Sequence, residues 1–188
     1  MKLNFNEIDN NELVLLVIPS EKVEEVNREI LDYLVSKKGA ICIYTTFSKP
    51  YNVVLKNLEK ERINTDRIFL IDCVTPVSGP EEISGTKKVI FCQPNSLTNI
   101  SISVTTALKS MSKDKNRVLI LDTISTLMLY NSKNTVIKFI HHLSGEIRKY
   151  GVKSLIFTLD EESDKSMISE VSLFCDVALR LSQLQLKT

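Results

Sequence analysis

Arg117-Val118-Leu119-Ile120-Leu121-Asp122, running on into Thr123-Ile124-Ser125, is the stretch whose reading decides the fold. It is a continuous apolar run rather than an in-and-out alternation. That suits a strand covered on both faces, as in a parallel sheet with helices on either side. It ends in an acid, which is where a nucleotide-hydrolysing α/β protein holds its Mg²⁺. The obligatory partner of such a strand is a glycine-rich loop ending in Gly-Lys-Ser/Thr after an earlier strand. The earlier strand is present at Leu13-Val14-Leu15-Leu16-Val17-Ile18. Pro19-Ser20-Glu21-Lys22 follows it, and no glycine occurs before Gly39. The motif is half present.

Working outward, further strand-like runs fall at 39–44, 67–71, 88–92, 153–158 and 176–182, the last expected at a sheet edge. Helical spacing lies between them. Val23, Val26, Ile30 and Leu34 mark one helix, with Ser20 placed to cap it. Val54, Leu55 and Leu58 mark a second, beginning near Pro50. Leu97, Ile100, Val104, Ala107, Leu108 and Met111 mark a third, capped by Asn95 or Ser96. Val136, Ile140, Leu143, Ile147 and Tyr150 mark a fourth, with Gly151 where a left-handed residue is wanted. Met167, Ile168, Val171 and Phe174 mark the last. Strand and helix in alternation predict an α/β fold, a doubly wound, mainly parallel sheet flanked by helices. Residues 74–87, with Pro76, Gly79, Pro80 and Gly85, break the rhythm and read as a loop. The pairing of 88–92 stays open.

The length of 188 residues fits a single domain spanning 1–188. An apolar content of 43% beside 25% charged residues is that of a globular chain able to bury a core. No window is apolar for long enough to span a bilayer, and Met1 to Asn11 is too polar for a signal peptide, so a cytoplasmic location is expected. The net charge of +1 offers no bulk attraction for nucleic acid or anionic membrane. Cys42, Cys73, Cys92 and Cys175 form no Cys-x-x-Cys pair and read as small hydrophobes rather than metal ligands. The adjacent His141 and His142 point about 100° apart on a helix and cannot chelate one ion together. The run Asp160-Glu161-Glu162-Ser163-Asp164 reads as a solvated loop leading into a helix capped by Ser163 or Asp164.

The segment 117–127 resembles the RecA/KaiC-like ATPase superfamily. The likeness continues through Leu129-Tyr130-Asn131, Phe139-Ile140-His141-His142-Leu143, Leu155-Ile156-Phe157-Thr158-Leu159 and Cys175-Asp176-Val177-Ala178-Leu179-Arg180-Leu181. Upstream, Tyr44-Thr45-Thr46, Ile71-Asp72-Cys73-Val74 and Pro94-Asn95-Ser96-Leu97-Thr98-Asn99-Ile100 are similar to small archaeal KaiC-like proteins. The resemblance implies a RecA-like sheet of order 5-1-4-3-2, counting five parallel strands along the chain, with an additional edge strand. It implies a nucleotide edge at the strands' carboxyl ends carrying Pro19, Ser20, Thr45, Thr46, Asp72, Asp122, Thr123, Thr158 and Asp160. In active relatives the residue aligned with Asp122 holds Mg²⁺ through water, and a polar residue like Thr158 senses the γ-phosphate.

Against that implication, the phosphate loop is degenerate. Pro19 has no N–H to offer, and Glu21 brings negative charge where a phosphate would sit. Lys22 lacks the loop that would fix it and reads as a surface lysine. Active relatives carry adjacent glutamates after the second strand to orient water, whereas this chain has Thr45-Thr46-Phe47-Ser48-Lys49. Phosphoryl transfer is almost wholly positioning and electrostatics, so the loss of both parts argues against hydrolysis. Asp122 then reads as an inherited strand-end acid bonded to Thr123, Ser125 or a backbone N–H, or as the centre of a residual ligand site. That site would gather Ser20, Lys22, Thr45, Thr46, Asp122, Thr123 and Thr158, with no metal and no cofactor.

The expected function is a non-catalytic module that regulates or scaffolds through a protein partner or self-association. The alternative is a nucleotide or small-molecule sensor without hydrolysis. A dinucleotide enzyme would need Gly-x-Gly-x-x-Gly after the first strand, which is missing. Nucleic-acid binding lacks a basic, aromatic-interleaved loop.

Overall fold

A computed structural model describes residues 3–75, 89–111 and 116–181. Its centre is a seven-stranded sheet in which every pairing is parallel. The strands are β1 (Leu13–Ile18), β2 (Ile41–Thr46), β3 (Ile68–Asp72), β4 (Val89–Phe91), β5 (Arg117–Asp122), β6 (Lys153–Leu159) and β7 (Val177–Arg180). The helices are α1 (Phe5–Asn10), α2 (Val23–Leu31), α3 (Tyr51–Lys60), α4 (Leu97–Ser110), α5 (Ile124–Leu127), α6 (Lys133–Tyr150) and α7 (Lys165–Ser172). Past Leu31, α2 widens into a π-helical turn at Asp32–Lys37.

The sheet runs β4-β3-β2-β5-β6-β1-β7. The chain steps one way from β1 to β4 and then back toward β7. Because parallel crossovers are right-handed, that reversal puts the helices of the outward leg on one face and those of the return leg on the other. Val14, Leu16 and Ile18 accordingly pack with Val26, Ile30 and Leu55 on the α2/α3 face. Leu13, Leu15 and Val17 pack with Val104, Ile140 and Val171 on the α4/α6/α7 face. This is the doubly wound α/β fold that the pattern predicts.

Read from the β7 end, the sheet runs β7-β1-β6-β5-β2, which is the implied order 5-1-4-3-2 when those five strands are numbered along the chain; β3 and β4 extend the opposite edge, two added strands where one was expected. The long α6 crossover lays β6 directly beside β5, in register from Val118↔Lys153, so β6 lies between β5 and β1. Strand 88–92 is resolved as an edge strand pairing β3 from Leu70↔Val89. β2 begins two residues later than read and takes in Thr45 and Thr46. Gly39 stands at φ 65, a turn conformation that ends the π-helical segment rather than opening a strand. The loop expected at 74–87 lies outside the described residues apart from Val74 and Thr75. Among the described residues no helix is long and apolar enough to cross a membrane.

Candidate functional site

Strand alternation decides which side chains can meet at the carboxyl edge. On β5, Val118 and Ile120 face α2 and α3, so Asp122 does too; Tyr44 of β2 shares that face. In the β2/β5 register Tyr44 lies opposite Ile120 and Thr46 opposite Asp122, which makes Tyr44 the diagonal neighbour of the acid. From above, α2 lowers Asn27 onto the pair. The Tyr44 hydroxyl donates to Asp122 Oδ2, and Asn27 Nδ2 donates to the same oxygen at 2.9 Å and to the Tyr44 oxygen. Asp122 Oδ1 and Asn27 Oδ1 are buried and have no hydrogen-bond partner among the described residues. Burial pushes the Asp122 carboxyl up to about 6, opposed by the Tyr44 donation and by the Lys49 charge. Burial, and next to it the charge of Asp122, push the Tyr44 phenol up as well.

Above this triad lies a cavity of about 430 Å³ between α2 and α3, reached by Ser48 and Lys49 from the turn after β2. Thr46 positions that turn: its hydroxyl donates to the Lys49 carbonyl at 2.7 Å and accepts the Lys49 N–H at 3.2 Å. Lys49 in turn pairs with Glu24 of α2. The crevice opens where β2 and β5 send their following helices to opposite faces, which is where open α/β sheets bind ligands.

Of the residues expected to share a residual site, Asp122 alone lines the cavity, with Thr46 placed behind it. Thr45 and Thr158 occupy the alternate positions and point to the opposite face. Thr158 meets Ser125 Oγ at 2.9 Å, while Thr45 Oγ1 is buried and has no partner among the described residues. Thr123, joined to Asp122 by a cis peptide, turns its hydroxyl to Thr126 at 3.2 Å. The partners expected for Asp122, Thr123 and Ser125, are therefore replaced by Tyr44 and Asn27. Asp72 is consumed by neighbouring backbone, accepting from the N–H of Tyr51 at the start of α3 and from those of Val74 and Thr75 just after β3. Asp160 meets Arg180 of β7.

The turn after β1 is a short 3₁₀ segment, Ser20–Lys22, in which the Lys22 N–H donates to the Pro19 carbonyl at 2.8 Å. The expected Ser20 cap does not form. Pro19 takes the capping position, so the exposed Ser20 becomes the first residue of the turn, and neither that turn nor α2 has a side-chain cap. Lys22 pairs with Glu25 at 2.9 Å near the surface. His141 and His142 are exposed, and His141 rests against the Phe174 ring. Among the described residues no group of three or more His, Cys, Asp or Glu could hold a metal ion.

Asn27 escaped the sequence reading, as did the part played by Tyr44. The signal for Asn27 was its place four residues after Val23 and three before Ile30, a polar residue on the apolar stripe of α2.

The all-parallel sheet with helices on both faces is an α/β fold shared with a KaiC-like protein of known structure. A KaiC-like protein from the hyperthermophilic archaeon Pyrococcus horikoshii OT3 matches with a TM-score of 0.61 and 13% identity, over 94% of this chain and 74% of that one. No curated protein matches. The chain belongs to a family described as being of unknown function, DUF7504, whose model covers residues 39–181.

Proposed function

We propose that this chain is a small archaeal KaiC-like domain whose phosphate loop has degenerated, and that it regulates or scaffolds through protein contacts instead of hydrolysing nucleotide. The observation that carries this reading is the condition of Asp122. An acid that holds hydrated Mg²⁺ must present its oxygens to water, whereas here Oδ2 is taken by Tyr44 and Asn27 and burial favours the protonated form. The Pro19–Lys22 turn supports the same reading. It leaves no glycine loop to cradle phosphate, and its Glu21 lines the neighbouring cavity. The turn after β2, Phe47-Ser48-Lys49, carries no carboxylate to orient water.

Protein contact is supported by the surface beyond β5. Leu129 and Tyr130, successive residues after α5, are 78% and 54% exposed. Sedimentation velocity, combined with affinity capture from the source organism, tests the reading. A defined oligomer or a specific partner, lost in a Leu129→Asp, Tyr130→Asp variant that keeps its fold, is the expected result. A strict monomer that captures nothing overturns it.

A second reading is favoured by the cavity itself. A 430 Å³ space ending on buried polar groups has the size and make-up of a small-molecule site, so the domain would sense a ligand without converting it.

A further inference from the structure

The cavity between α2 and α3 carries a chemical preference. Asp122 and Asn27, which line it, each carry a buried oxygen that no donor among the described residues reaches, Asp122 Oδ1 and Asn27 Oδ1. The Asn27 amide cannot be turned to relieve them. Its nitrogen already donates to Asp122 Oδ2 and to the Tyr44 oxygen, and the reverse orientation would set its oxygen against the carboxylate. Buried acceptors left without donors are costly, so the missing component is a donor. Asp122 is only 5% exposed and ends in the cavity, so what meets it comes from that space.

The walls narrow the class further. Leu31, Val54 and Leu58 give the cavity an apolar side. Around it stand the carboxylates of Glu21, Glu24, Glu25 and Glu61, which with Asp122 outnumber the cations Arg28, Lys49 and Lys60. Three ion pairs cancel around it, Lys49 with Glu24, Arg28 with Glu61 at 3.8 Å and Lys22 with Glu25 at 2.9 Å, and a small surplus of negative charge remains. A phosphate-bearing ligand would meet an excess of negative charge here, whereas a ligand with ammonium groups joined by methylenes would match both floor and walls.

We propose that this cavity binds a small aliphatic amine of the diamine or polyamine class. One ammonium donates to Asp122 Oδ1 and Asn27 Oδ1, the methylene chain lies against Val54 and Leu58, and a second ammonium meets the carboxylates at the rim. The proposal rests on the ligand-sensing reading and narrows its ligand; it is independent of the protein contacts.

Thermal shift and isothermal titration with putrescine and spermidine test it, at constant ionic strength, beside Mg²⁺ alone and ATP, ADP and AMP with Mg²⁺. The expected result is saturable stabilisation by at least one amine. Its affinity should fall tenfold or more in Asp122→Asn, and in Leu58→Trp, which fills the cavity and leaves the acid in place. Overturning results are no saturable binding of either amine, or equal binding in both variants, which would mark loose counterion attraction. Stabilisation by a nucleotide but not by an amine overturns the ligand class and leaves the sensing reading standing. No response to any probe overturns both.

Discussion

Asp122 is the residue on which sequence and structure meet. Its identity as the acid at the end of a buried strand was legible from five neighbouring letters. Its environment was not, because Tyr44 and Asn27 come from two other elements and reach it only through the β2/β5 register and the docking of α2. The carboxyl titrates at about 6 in the folded chain against 3.8 when unperturbed, with burial the leading cause. The folded state therefore binds the proton more tightly than the unfolded one. Stability contributed by the neutral acid is full below about pH 4, falls as pH rises toward 6, and stays lower above it. The cost at neutral pH is of order 3 kcal/mol. Asp122→Asn should raise the melting temperature by several degrees at pH 7, with the gain vanishing below pH 4; thermal melts across that range check it. Tyr44→Phe removes the donor that holds the pKa down. It should cost about 1–3 kcal/mol in urea denaturation at pH 7 and move the titration of Asp122 further upward.

At the scale of elements, the long periodic segments were readable and their ends were not. α6 is an example of success. Its stripe of Val136, Ile140, Leu143 and Ile147 is buried, and Gly151 follows at φ 56, with its N–H bonded to the Arg148 carbonyl at 3.1 Å. A Cβ at position 151 would meet nothing within 4 Å, so Gly151→Ala tests backbone conformation alone. The expected loss is about 1 kcal/mol by chemical denaturation. α1 and α5 were missed because six and four residues are too few to show a 3.6-residue period. α1 is held at its carboxyl end by Lys153, whose ammonium donates to the carbonyls of Ile8, Asp9 and Asn11. Lys153→Met should leave those carbonyls without their donor and increase amide exchange in residues 5–11, readable by hydrogen exchange. The Ser20 cap failed for a related reason: the preference of serine for caps was a sound rule, but Pro19 displaced it by one position.

At the scale of the molecule, continuous apolar runs announced a parallel sheet, and all seven strands were found within a few residues of their reading. The implied order 5-1-4-3-2 is met by β7-β1-β6-β5-β2, but which runs would lie outside those five was not legible, since strand neighbours are chosen by how each crossover packs, and the runs look alike. The grouping of candidate site residues suffered from the same blindness. Thr45 and Thr158 stand at the same edge as Asp122, yet the two-residue period of a strand sends them to the other core. What remains on the α2/α3 face is an acid with its carboxylate turned to a tyrosine and an asparagine, beneath a cavity. The central claim is that this edge no longer hydrolyses nucleotide. The most direct test is steady-state phosphate release from ATP with Mg²⁺ by the purified chain, run beside Asp122→Ala. The predicted result is release at the reagent background for both proteins. Turnover above background that disappears in Asp122→Ala would contradict it.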